Sequence, residues 1–327
     1  MTHIYSFKTK GPCRLDDFLR EQLPPVLRVQ DGAGVSNSKI RRLIVAGAVR
    51  VNGRQCRTPG ENLGISDTVS AAVDESRFFY EKQPDDVKFD VTAESVLFED
   101  DSLIIVNKPA FFPTEETITG QRDNMHDAVV RWLWSETPAQ RNPPYAGIMH
   151  RLDRETSGVL LFTKQRTVNA AVHDMFEQHT ARKVYRAVAA YQAAAERFLK
   201  GPAGTRVFSA DDFLGRISPK SSAGKWGAVP GPQGGLHAHT DFTVLGEGVS
   251  GGTRVLYLEA RPVTGRTHQI RVHLSSLGLP ILGDSLYGGC AAERLFLHAR
   301  SISFPHPVTG GILTVTAPLP PGFGDGL

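Results

Sequence analysis

Asp153 stands between two arginines in the run His150-Arg151-Leu152-Asp153-Arg154-Glu155-Thr156-Ser157-Gly158. A carboxylate flanked by cations favours its ionised form and, in a loop, stays open to a ligand. Such a group can serve as a nucleophile or a base. Ala146, Ile148 and Met149 precede the block and Val159 to Phe162 follow it, an apolar run that reads as a buried strand. A strand does not bury this much charge without partners, so the polar block belongs at its mouth, in a loop or turn. The same nine residues also fit a surface salt-bridge cluster.

Other chemistry-bearing residues lie downstream. Tyr185 sits in the alternating run Val184-Tyr-Arg-Ala-Val188, which by pattern is a half-buried strand. Arg271 follows the turn Thr264-Gly265. Thr267 is expected to cap a helix through Ile270, Leu274 and Leu277 that ends at Gly278. Taken alone, the tyrosine reads as core and the arginine as a surface residue. A metal centre is not expected, although the chain has 11 histidines. His268 and His273 are five apart and would diverge by about 140° on a helix. There is no CxxC pair, no G-x-S-x-G elbow around Ser157, and no Walker or dinucleotide glycine pattern.

Five blocks in order resemble the RluA-type pseudouridine synthases. They are Asp101-Ser-Leu-Ile-Ile-Val-Asn-Lys108-Pro109, the Asp153 block, Lys183-Val-Tyr185-Arg-Ala, Thr264-Gly-Arg266-Thr-His268-Gln-Ile-Arg271-Val-His273-Leu, and Gly283-Asp284-Ser-Leu-Tyr287-Gly288 followed by Leu297-His298-Ala299. The resemblance covers about Phe98 to Pro318. It implies that Asp153 is the essential catalytic carboxylate, that Arg271 is its partner, and that Tyr185 stacks on the target uracil and handles a proton. It implies that Arg151 fills the helix where the target nucleotide has flipped out. Lys108 is expected to contact RNA or order the cleft, and Arg266, His268 and Leu297 to contact substrate. The chain departs from the family after Pro109, with Ala110-Phe-Phe-Pro-Thr-Glu-Glu116 in place of a small apolar stretch and a histidine.

The first 74 residues have the look of a separate module. Leu15, Phe18 and Leu19 share one helical face. Ser36 or Ser38 is placed to cap a second helix carrying Ile40, Leu43 and Ile44, and Gly47 to end it. Val49-Arg-Val51 then reads as a strand turning at Asn52-Gly53. Lys39, Arg41, Arg42, Arg50, Arg54 and Arg57 occur with no acidic residue among them, a footprint suited to a phosphate backbone. Arg14-Leu15-Asp16, Ser38-Lys-Ile-Arg-Arg-Leu43-Ile44, Gly47-x-Val49-x-Val51-Asn52-Gly53 and Ile65-x-Asp67-x-Val69 resemble the S4-type RNA-binding module. The Gly-rich segment Asp31-Gly-Ala-Gly-Val35 looks like an enlarged loop between its helices.

Residues 75–90 read as a polar linker whose Phe78, Phe79 and Tyr80 dock on the second domain, 91–327. There, apolar runs at Ser95–Phe98, Leu103–Val106, Val159–Phe162, Val184–Ala190, Thr240–Leu245 and Val255–Ala260 alternate irregularly with helical patterns at Met125–Trp134 and Thr167–Gln178. The expected fold is α+β: a mixed, largely antiparallel sheet with flanking helices and a central RNA-binding cleft, plus the small S4-like α/β module. Residues 201–235, rich in Gly, Pro and Ser, read as a long irregular insertion.

The net charge of +3 permits an acidic partner without demanding one. Three scattered cysteines, Cys13, Cys56 and Cys290, argue for a reducing compartment. No apolar run approaches the ~18 residues of a membrane span. The expectation is a cytoplasmic, monomeric RNA enzyme acting on ribosomal RNA or tRNA without metal or small-molecule cofactor. Two alternatives stand beside it. A nucleoside or glycoside hydrolase would pair Asp153 with a second acid such as Glu155. A non-catalytic RNA-binding or ribosome-assembly protein would need none of Asp153, Tyr185 and Arg271.

Overall fold

The computed structural model describes residues 2–27, 35, 37–74, 86–115, 122–137, 139–192, 196–199, 206–218, 224–231 and 234–324. The chain divides into two compact units; the described residues of the first run from 2 to 74 and those of the second from 86 to 324.

The first unit contains β1 (Thr2–Lys8), β2 (Cys13–Arg14), α1 (Leu15–Gln22), α2 (Asn37–Val45), β3 (Val49–Val51), β4 (Arg54–Cys56), β5 (Asn62–Leu63) and β6 (Thr68–Asp74). Four of its strands form an antiparallel sheet in the order β1-β6-β3-β4. The core joins Leu15, Phe18 and Leu19 of α1 to Ile40 and Ile44 of α2 and to Val69, Ala71 and Val73. Those last three alternate along β6, the period that buries one face of a strand. The β3–β4 turn has positive φ at both Asn52 and Gly53, the pairing a two-residue hairpin favours. Ser38 lies inside α2 rather than at its N-cap position. Ser36, the Gly-rich segment apart from Val35, and residues 75–85 with Phe78, Phe79 and Tyr80 lie outside the described residues.

The second unit contains β7 (Val96–Glu99), β8 (Leu103–Lys108), α3 (Met125–Glu136), β9 (Gly147–Ile148), β10 (Ser157–Thr163), α4 (Asn169–Glu177) and β11 (Arg182–Ala190). It continues with α5 (Glu196–Leu199), β12 (Val207–Arg216), β13 (Trp226–Ala228), β14 (Leu236–Ser250), β15 (Thr253–Pro262), α6 (Gln269–Ser276), β16 (Leu297–Pro305) and β17 (Ile312–Thr316). One sheet of 11 strands runs β13-β12-β14-β15-β11-β16-β10-β8-β7, with β17 beside β16 and β9 beside β10. Its pairings are antiparallel except β10 with β16. This is the mixed, largely antiparallel α+β sheet expected.

The continuous apolar runs of β8 and β10 have a two-sided cause. Ile104, Val106, Leu160 and Phe162 pack with Met125, Ala128 and Val129 of α3. Leu103, Ile105, Val159 and Leu161 pack with Val172 and Met175 of α4. Both faces are covered, so neither strand carries a polar stripe. At the mouth of β10 the parallel neighbour comes very close. Gly158 has φ +113°, and a Cβ there would run into the Ala299 carbonyl oxygen, so glycine is required.

Residues 201–235 are not an irregular insertion throughout. Val207–Leu214 pairs along β14, and Trp226–Ala228 pairs with β12, so this region extends the main sheet. Its strand β12 buries few residues, which is why no apolar alternation announces it. Residues 201–205, 219–223, 232 and 233 lie outside the described residues. No helix among the described residues is long and apolar enough to cross a membrane.

Candidate active site

Asp153 lies in the loop between β9 and β10, its side chain 24% exposed. The loop is clamped from the segment after β8. Lys108 is fully buried, and its Nζ donates to the carbonyls of Pro109, Phe112 and Arg154 at 2.9, 2.7 and 3.0 Å. Three acceptors match the three N–H bonds of an ammonium. Burial pulls that ammonium down to about 7, while the charges of Asp153 and Glu155 act in the opposite direction. Lys108 therefore orders the cleft and has no surface left for RNA, which corrects its placement among substrate contacts. Thr114 Oγ1 donates to the Leu152 carbonyl at 2.8 Å, adding a second clamp.

The sequence neighbours of Asp153 are not its partners. Arg154 turns to Asp86 at 2.8 Å and to Glu155 at 3.2 Å. Arg151 is 63% exposed and pairs with Glu115. The cation at Asp153 is Arg271, 118 residues away, whose Nη1 reaches Oδ2 at 3.3 Å. Arg271 is itself nearly buried. Its Nε and Nη2 fork onto the two oxygens of Asp284 at 2.8 and 2.9 Å. Asp284 Oδ1 accepts in addition from the amides of Leu286 and Tyr287 at 3.2 Å each. Burial opposes the charge on Arg271, but the hydrogen bonds and charge of Asp284, then Asp153, hold its pKa above the ordinary arginine value.

Thr267 does not cap α6. The helix starts after His268, which adopts a left-handed backbone with φ 56° and no capping side chain. The turn is closed instead by Gln269 Oε1, which accepts from the Thr264 hydroxyl at 2.7 Å and the Arg266 amide at 2.9 Å. This conformation brings His268 Nε2 to 3.9 Å from Asp153 Oδ1 and Nδ1 to 2.9 Å from the Tyr287 hydroxyl. Burial, only partly offset by Asp153, lowers the His268 pKa. The Tyr287 oxygen also accepts from the Trp226 amide at 3.0 Å, so a residue of β13 is tied to the site.

Tyr185, on β11, is half-buried between two core clusters. Burial first, and the charge of Asp153 second, raise its hydroxyl above the ordinary tyrosine range. Asp153, Tyr185, Arg271, Arg151, Arg266, His268 and Leu297 all line one cavity of about 1000 Å³; Lys108 does not. Sequence reasoning missed two residues here. Asp284 is visible in the sequence only as part of a block, because a buried carboxylate is recognised by its partner in space. Lys183, on the same wall, is overshadowed in the sequence by Tyr185.

The basic residues of the first unit divide. Arg41, Arg42, Arg50, Arg54 and Arg57 are exposed, whereas Lys39 is buried, which removes it from the exposed basic face. Arg41 lies 3.4 Å from Asp16, so part of that face is neutralised by an acid from α1. His150 is structural: it accepts the Leu161 amide at 3.0 Å and stacks on Phe176.

Comparison with known proteins gives a consistent result. The family described as RNA pseudouridylate synthase matches residues 102–276, and the S4 domain matches residues 13–69. Ribosomal large subunit pseudouridine synthase C of Escherichia coli (strain K12) is 30% identical over 94% of this chain and 90% of that protein. An uncharacterised RNA pseudouridine synthase of Bacillus subtilis (strain 168) is 34% identical over 69% of this chain and 68% of that protein. Among solved structures, human RNA pseudouridylate synthase domain containing 4 superposes with a TM-score of 0.53 at 24% identity, covering 70% of this chain and 90% of that one. That last likeness speaks to the fold.

Proposed function

The chain belongs to the RNA pseudouridylate synthase family, and on that premise we propose that Asp153 carries the isomerisation of uridine within large-subunit ribosomal RNA. The protein is an isomerase with an N-terminal S4 domain, and RNA is its substrate. The observation that supports the assignment of Asp153 is its seat on the cavity wall against an arginine that is itself fixed by a buried carboxylate.

Pseudouridine formation breaks the N1–C1′ bond, turns the uracil, and joins C5 to C1′. There is no redox step and no net leaving group, and in this reading the enzyme works without metal or small-molecule cofactor. The needs are a carboxylate, a surface that holds the detached base, and a group that handles a proton. Arg271 fixes the rotamer of Asp153, because its other two nitrogens are committed to Asp284. Tyr185 offers a ring for stacking and a hydroxyl that burial keeps protonated. Arg266, His268 and Leu297 contact the nucleotide. Arg151, exposed at the rim, leaves Glu115 to fill the gap of the flipped base, which offsets part of an unstacking cost of a few kcal/mol.

In the same reading, residues 1–74 bind RNA through Arg41, Arg42, Arg50, Arg54 and Arg57, residues 75–90 link, and residues 91–327 catalyse. The protein works as a cytoplasmic monomer. Ribosomal RNA is preferred to tRNA because the similar E. coli protein is named for the ribosomal large subunit. Mapping pseudouridines in total RNA from a deletion strain and its parent tests this. The expected result is loss of one or more sites in large-subunit RNA, restored by the wild-type gene. Loss confined to tRNA would move the substrate, and an unchanged map would remove the proposal.

A further inference from the structure

Two cations on the cavity wall lack a counter-charge among the described residues. Lys183 lies on β11 two residues before Tyr185, and Arg266 lies in the turn before α6. Lys183 makes no hydrogen bond or ion pair among the described residues. Its Nζ stands 5.9 Å from the centroid of the Phe176 ring and 3.4 Å from where a Cβ on Gly265 would be. Arg266 gives Nε to the His237 carbonyl at 2.9 Å, and its two terminal nitrogens have no acceptor among the described residues.

The other arginines of this wall are paired. Arg151 has Glu115, Arg154 has Asp86, and Arg271 has Asp284 and Asp153. Of the nearby acids, Glu155 pairs with Arg154 at 3.2 Å, and Glu177, exposed and 3.8 Å from His173, makes no ion pair with Lys183 or Arg266. Lys183 is largely enclosed, and burial first, then the charge of Arg266, pulls its ammonium down to about 8. Placing two like charges together in a partly enclosed wall costs stability. No described residue neutralises the arrangement, and unfavourable charge of this kind marks a ligand site.

We propose that Lys183 and Arg266 together form a subsite for one phosphodiester of the RNA, the linkage next to the target uridine. A phosphodiester carries one negative charge and two non-bridging oxygens. The free end of a guanidinium takes two oxygens and an ammonium adds a point charge, so the pair matches the group. The proximity of Lys183 to Tyr185 along β11 puts the subsite beside the ring proposed to hold the base. The inference rests on the synthase reading and extends it to the backbone of the substrate.

The test is a titration of uridine, uridine 3′-monophosphate, uridine 5′-monophosphate and inorganic phosphate into the full-length protein. It is repeated with Lys183→Met, Lys183→Arg and Arg266→Met. In wild type, one of the two nucleotides should bind about ten-fold more tightly than uridine, the scale of a hydrogen bond to a charged group. That margin, taken as the ratio of nucleotide to uridine affinity within each protein, should collapse in Lys183→Met and Arg266→Met and persist in Lys183→Arg. Equal binding of uridine and both nucleotides would overturn the subsite, as would a margin untouched by either Met variant. Inorganic phosphate binding as tightly as the nucleotide would also overturn it, since the site would then take a free anion. Binding is read without turnover. Loss of the margin therefore leaves the synthase assignment standing, and an absence of pseudouridine formation leaves the margin to be judged separately.

Discussion

Arg271 and Asp284 form a two-pronged ion pair closed off from solvent, with contacts of 2.8 and 2.9 Å, and it is this pair that aims the third nitrogen of Arg271 at Asp153. Removing one partner strands a buried charge, which costs ~3–5 kcal/mol. Asp284→Ala should therefore lower the midpoint of thermal unfolding. Asp284→Asn should fold better yet lose turnover, by ~10²-fold if the aim of Arg271 is worth as much as one preorganised donor. Circular dichroism and single-turnover kinetics on the two variants check this. An Asn variant with wild-type turnover would show that Arg271 needs no such support.

Tyr185→Phe should keep the stacking surface and lose turnover by ~10²-fold or more, the usual value of a positioned proton donor. Tyr185→Ala should also weaken productive binding, since stacking on an aromatic ring is worth ~1–3 kcal/mol per base. If both variants turn over like wild type, Tyr185 serves only the two clusters it packs between.

Much of this arrangement is legible in the sequence, and the failures have physical causes. β8 and β10 stand out because helices cover both of their faces, and α1, α2 and α3 because each has one apolar stripe. β12 escapes notice because only three of its ten residues are buried, too few to leave an apolar pattern. At the site, the motif places two arginines beside Asp153, but adjacency along a loop is not contact. Arg151 and Arg154 turn away to Glu115 and Asp86, and the contact comes from Arg271 of α6, the partner that the family resemblance implied and the local pattern alone did not. The start of that helix misleads because Gln269, not a serine or threonine, closes the turn.

The first unit can be tested separately. Replacing Arg41, Arg42, Arg50, Arg54 or Arg57 by Gln should each reduce the salt dependence of RNA binding, with a slope change of ~0.7–0.9 for every phosphate that is no longer neutralised. Lys39→Gln should instead alter stability and leave the slope alone, because Lys39 is buried. Dissociation constants at several salt concentrations decide it. A slope unmoved by all five arginine variants would mean the basic face is merely solvated.

Stability should fall on the acid side. Burial lowers His150 and His298 to about 3 and His273 to about 4. The charge of Lys183 adds to the shift at His150, and those of Arg294 and Arg300 to the shift at His298. These histidines are neutral when folded and take up protons near pH 6.5 when unfolded. The unfolded chain then binds more protons below that pH, so the contribution is whole above about 6.5 and is lost as pH falls toward 3 to 4. Urea unfolding at pH 7, 6 and 5 should show a declining free energy, with a shallower decline in His150→Gln. A flat profile over that range would contradict the burial of these rings.

Asp153 performs the isomerisation in the mechanism proposed, and product formation by Asp153→Asn against wild type on the same ribosomal RNA fragment probes that role without intermediaries. Asparagine keeps the shape and a hydrogen bond to Arg271 but cannot act as nucleophile or base. The variant should form no pseudouridine above background, by tritium release from C5, with RNA affinity within a few-fold of wild type. Pseudouridine formed by the variant at the wild-type rate would refute the role of Asp153.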